Sequence, residues 1–69
     1  MTHRLIIHLP GTSITIDSDN IDKLSALSDF CKENLDAYHA SDNHEEITID
    51  TFTEEESCEF FSMILRLGL

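Results

Sequence analysis

Basic residues are scarce in this chain: four Lys and Arg stand against 14 Asp and Glu in 69 residues, for a formal net charge of -10. Such a surface repels phosphates and anionic membranes over roughly a Debye length, which excludes direct binding to nucleic acid or acidic lipid as the main expectation. Only two cysteines occur, Cys31 and Cys58. They make neither a disulfide framework nor a CxxC pair, and both fall at positions that read as the apolar side of a helix, as small buried free thiols. With two glycines there is no Gly-rich phosphate loop. Nor is there a nucleophile elbow or a visible acid and base pair, so the chain does not read as an enzyme and no cofactor is expected. No apolar run approaches the roughly 18 residues of a membrane span, and MTHRLIIHLPG carries too short an apolar stretch for a signal peptide. There is no lipidation motif either. A cytoplasmic location is the expectation, in the host cytosol if the chain is phage-encoded.

What is present is a hydrophobic content of 41% spread along the whole length, which implies a single domain over residues 1–69. A chain of this size buries only about 60% of its unfolded surface, so its stability is marginal unless a disulfide, a metal or a second copy of the chain adds to it. HRLIIHL (3–9) is an apolar run of strand length, and TSITID (12–17) alternates with Ile14 and Ile16 on one face. Between them, Pro10 presets the first central position of a turn and Gly11 accepts the positive φ of the second, which predicts a β-hairpin. EITIDTF (46–52) reads as a third strand with Ile47 and Ile49 inward.

The segment from Ser18 to Asn43 is organised only by a helical period. Asp19 is the expected N-cap, with Asp22 in the first turn. Leu24, Leu27, Cys31, Leu35 and Tyr38 fall within about 80° of one another, while Asp22, Asp29, Glu33 and Asp36 fall within about 60° on the opposite side. A last helix starts at Thr53, whose spacing to Glu56 is that of a capping box. The expected fold is therefore α+β: a small ββαβα domain with a three-stranded antiparallel or mixed sheet in the order 2-1-3 and two helices packed on one face.

The last helix, CEFFSMILRLGL, is apolar around most of its circumference. One face can pack on the sheet, which leaves a surplus of about three or four large side chains, each worth about 1.5–3 kcal/mol if removed from water. Left open, they form an apolar patch larger than soluble monomers usually carry. An isologous homodimer through Phe60, Phe61, Met63, Ile64, Leu65 and Leu67 is the expected resolution, with docking of a different protein as the alternative.

YHASDNHEE brings His39, Asp42, His44, Glu45 and Glu46 together, a divalent-metal vocabulary without the spacing of a tetrahedral cage. His39 and His44 are accordingly weak candidates, and a solvated loop is the simpler reading. DSDNID, from Asp17, resembles a calcium loop only until Asp22 occupies the glycine position and Ser28 the bidentate Glu position. Ser18 in the same stretch resembles the carrier serine of acyl carrier proteins, but Asp19 follows where Leu is expected.

Charge patterning is the stronger signal. Along a helix the four carboxylates of Asp22, Asp29, Glu33 and Asp36 span about 21 Å, with steps of roughly 5–10 Å. Successive phosphates on a DNA strand are spaced on a comparable scale, about 3.4 Å of axis each. Such a row suits a basic groove that normally takes nucleic acid, with Phe30 on its flank as an aromatic anchor. In composition the chain resembles the small acidic accessory proteins by which phages or plasmids block host defence or regulatory proteins, some of them DNA mimics. That resemblance implies an inhibitor of a basic, nucleic-acid-binding partner protein. Two alternatives follow from other features: a regulatory adaptor or antitoxin-like subunit that binds through the apolar last helix, and a metal-binding sensor using His39 and His44.

Overall fold

A computed structural model describes residues 1–42 and 45–69. The hairpin forms as its sequence dictates, with β1 over His3–Leu9 and β2 over Thr12–Ser18 in unbroken antiparallel register from His3 opposite Ser18 to Leu9 opposite Thr12. Gly11 takes φ +78, the left-handed region that Pro10-Gly11 requires, and a Cβ added there meets nothing within 4 Å. Gly11→Ala is therefore expected to destabilise by backbone conformation alone, about 1–2 kcal/mol, read from chemical unfolding midpoints.

Helix α1 covers Ile21–Asn34, one residue later at its start and shorter at its end than the periodicity implies. The N-cap is Asn20, whose side-chain oxygen accepts from the Asp22 amide at 3.0 Å, whereas Asp19 accepts from the Thr2 hydroxyl at 3.1 Å. At the other end the Asn34 side chain donates to the Phe30 carbonyl at 2.9 Å, and Leu35 turns to φ -113, ψ 118. An asparagine that competes for backbone groups favours a stop over another turn. Leu35 is still buried, but from an extended backbone.

Tyr38 consequently leaves the helix and opens a short strand, β3, over Tyr38–Ala40, which pairs antiparallel with β4 over Glu46–Ile49. β4 lies parallel to β1, with Ile7 opposite Ile47. The class is α+β as expected, but the plan is ββαββα and the mixed sheet has four strands in the order β2-β1-β4-β3, not three. The strand expected over 46–52 does sit beside β1. It ends at Ile49, and β3 is added at its far edge.

Helix α2 covers Glu54–Leu67 and has the capping box expected of it. The Glu56 amide donates to Thr53 Oγ1 and the Thr53 amide to Glu56 Oε1, both at 3.1 Å. At the C-terminus Gly68 adopts φ +75, its amide reaches the Leu65 carbonyl and that of Leu69 the Ile64 carbonyl, which satisfies two end carbonyls in a Schellman motif. The Thr53 amide, then the Thr53 hydroxyl, lower the Glu56 pKa from 4.5, with a smaller contribution from the Asp36 amide. A carboxyl lowered on folding stabilises fully above its unfolded value, and that stabilisation fades as pH falls through the folded value. The stability gap between the parent and Glu56→Gln is thus expected to be open near neutral pH and to close in acid, as urea titrations at a series of pH values would show.

Both helices cover one face of the sheet. Leu5, Ile7, Ile47 and Ile49 from the strands meet Leu24, Leu27, Cys31 and Leu35 from the first helical segment and Phe60 from α2 in one core. Burial raises the Cys31 thiol to about 12. Cys58, expected to be buried as well, is exposed.

Candidate functional site

The outer side of α1 carries the carboxylates that the helical period groups together. Asp22, Asp29 and Glu33 are all exposed, and none makes a side-chain hydrogen bond or ion pair among the described residues. By helical rise they extend over about 16 Å. Asp36 is not part of that ridge, because the helix stops at Asn34; it is exposed in the turn that follows, with its amide beside Glu56. The acidic surface therefore bends at Asp36 toward the start of α2, where Glu54 and Glu55 are also exposed. Phe30 is half-buried and packs against the core, so only part of its ring is offered to a partner.

The fold adds what the helical wheel does not show. A groove of about 690 Å³ runs between the first half of β1 and α1, with Ile21, Ser25, Ser28 and Asp29 on the helix side and Glu45 and Glu46 across from them. Acidic residues thus occur on both walls, although the Glu46 carboxylate is taken up by His8 on the other face of the sheet and Arg4 also lines the strand side. Ile21 at its rim is 50% exposed. An exposed apolar rim beside the Asp29 carboxylate suits a long cationic side chain, whose stem and head need those two environments.

On the uncovered face of the sheet, His8 and His39 lie in register with Thr48 from either side. His8 Nε2 meets Glu46 Oε1 at 3.1 Å and His39 Nε2 meets Asp50 Oδ2 at 2.8 Å. The Arg4 guanidinium donates to Asp17 at 2.9 Å, and that bond holds the Asp17 carboxyl below its ordinary value. Neither histidine pair was accessible to sequence reasoning, because their partners are set by strand order. Of the two metal candidates, His39 is engaged by Asp50, and His44 lies outside the described residues. Among the described residues no group of three or more His, Cys, Asp and Glu could hold a metal ion.

The expected dimer surface on α2 changes most. Phe60 is fully buried in its own core and is corrected from an intermolecular to an intramolecular contact. Phe52 and Phe61 meet its ring edge-on, at 5.5 and 5.2 Å between centroids. Met63, Ile64 and Leu67 are half-buried against the same core, leaving Phe61 at 44% and Leu65 at 80% exposure. No helix among the described residues is long and apolar enough to cross a membrane. The chain matches no known protein family, no curated protein and no solved structure, so the chemistry of its own surface has to carry the functional reading.

Proposed function

We propose that this protein is a small acidic binding module that engages a basic, nucleic-acid-binding partner protein and blocks the surface on which that partner takes nucleic acid. The observation that supports this is the disposition of Asp22, Asp29 and Glu33, exposed along α1 and unpaired among the described residues, with Asp29 on the helix wall of the groove. Carboxylates already neutralised by internal bases would have little to offer a cation. Among the described residues Asp22, Asp29 and Glu33 meet no such base, in a chain of net charge -10. Long-range attraction would guide a basic partner to α1, and Arg or Lys side chains would then meet its carboxylates, with Asp29 at the groove. Inhibition of the phage or plasmid anti-defence type is the biological form this reading takes. Its test is capture of partners from cell lysate at low and high salt, followed by competition between this protein and a duplex oligonucleotide for each captured protein. Partners that resist high salt, or that bind this protein and DNA together, would contradict it.

A second reading rests on Phe61 and Leu65, four residues apart and therefore adjacent on the outside of α2. In that case a regulatory partner would dock on these two side chains, Leu65→Glu would abolish capture, and salt would matter little.

A further inference from the structure

We infer that β2 is the contact through which two copies of this chain associate, edge to edge, into one continuous eight-stranded sheet. Among the described residues no strand lies beyond β2, which stands at the edge of the order β2-β1-β4-β3. Proteins normally blunt such an edge with Pro, Lys, a bulge or a very short strand. β2 has none of these devices: it is seven residues long, reads TSITIDS, and keeps register with β1 throughout.

The hairpin decides which backbone groups face outward. Leu9 and Thr12 flank a two-residue turn and form its closing hydrogen-bonded pair, so Thr12, Ile14, Ile16 and Ser18 direct their amides and carbonyls to β1. Those of Ser13, Thr15 and Asp17 point away from the sheet. Thr15 is the midpoint of the strand. An antiparallel copy placed across a two-fold axis at Thr15 therefore sets Thr15 against the partner's Thr15 and Ser13 against the partner's Asp17, and the outward groups close about six backbone hydrogen bonds.

Side chains agree with this register. Ile14 falls beside the partner's Ile16 in the closer, non-hydrogen-bonded type of pair, and both residues are only half-buried in the single copy. Asp17, already held by Arg4 at 2.9 Å, faces a serine hydroxyl. A register centred on Asp17 would instead oppose two carboxylates, which is unfavourable. The strand is thus self-complementary although the chain as a whole is strongly anionic. Repulsion between the two protomers should make this association tighten as salt is added, the opposite of the behaviour expected for capture of a basic partner. The contact is independent of the partner reading and leaves the outer side of α1 uncommitted.

Sedimentation equilibrium of the full chain from micromolar to millimolar concentration, with residue-resolved amide exchange on the same samples, tests this. A dimer is expected, with the amides of Ser13, Thr15 and Asp17 slowing as concentration rises while those of Ile14 and Ile16 do not change. Thr15→Pro removes one outward donor from each copy and should weaken the dimer roughly tenfold or more, with circular dichroism unchanged. Should that variant unfold, Thr15→Lys, an exposed substitution that opposes two ammonium groups at the axis, serves the same purpose. A monomer at every concentration would overturn the inference, as would a dimer that Leu65→Glu dissociates and that leaves the three amides unprotected.

Discussion

Phe60→Ala is expected to destabilise the fold by about 3–5 kcal/mol, the range for truncating a fully buried aromatic where the neighbours relax only in part. The ring has no exposed surface and stands edge-on to two other phenylalanines. Its removal forfeits transfer free energy, those ring contacts and the close packing of the core it shares with Leu24, Leu27 and Ile47. Small domains have roughly 0.05–0.15 kcal/mol of stability per residue, so a 69-residue chain can lose most or all of its margin through this change. Leu65→Ala, four-fifths exposed, should stay within about 0.5 kcal/mol of the parent. Urea unfolding of the two variants side by side distinguishes a core helix from a helix kept for a partner. Similar small costs for both would mean that α2 is only loosely seated and that its apolar surface is held for association.

That contrast explains why the apolar excess of α2 looks larger in the sequence than in the fold. A helix that packs at once on a sheet and on α1 buries a broad sector, and Phe60, Met63, Ile64 and Leu67 fit within it. The helical wheel distinguishes polar from apolar positions, but it does not measure how wide a sector the neighbours will cover. Local signals were legible: Pro10-Gly11, the Thr53 and Glu56 spacing, and the alternation of Ile14 with Ile16 each specify their geometry through nearest neighbours. β3 was not, since a three-residue strand has no period, and Leu35 and Tyr38 are spaced as well for a helix as for the break that follows Asn34. Asp22, Asp29 and Glu33 could be grouped by helical arithmetic. Glu45 and Glu46 could be set opposite Asp29 only by the parallel pairing of β4 with β1, a long-range choice that no local pattern encodes.

Reversing charge on α1 should have the largest functional effect. Asp29→Lys/Glu33→Lys is expected to weaken a salt-sensitive partner by about a hundredfold, because attractive charge contacts worth about 1 kcal/mol or more each become repulsive. Asp22 is better left in place: it lies in the first turn of α1, where its charge complements the helix dipole, and reversing it would cost about 0.3–1 kcal/mol of stability for unrelated reasons. Glu59→Lys on the exposed side of α2 tests whether position or net charge matters. If recognition is local to α1, it should change affinity little at physiological salt, where the Debye length is about 8 Å. Titrations of a captured partner at several ionic strengths, with parent, Asp29→Asn, the double reversal and Glu59→Lys, give the decisive comparison. The parent should show a steep salt slope, Asn an intermediate loss and the double reversal a shallow or inverted slope. Equal losses for Glu59→Lys and the α1 variants would mean that the partner senses overall charge, and a salt-independent parent would transfer the binding role to Phe61 and Leu65.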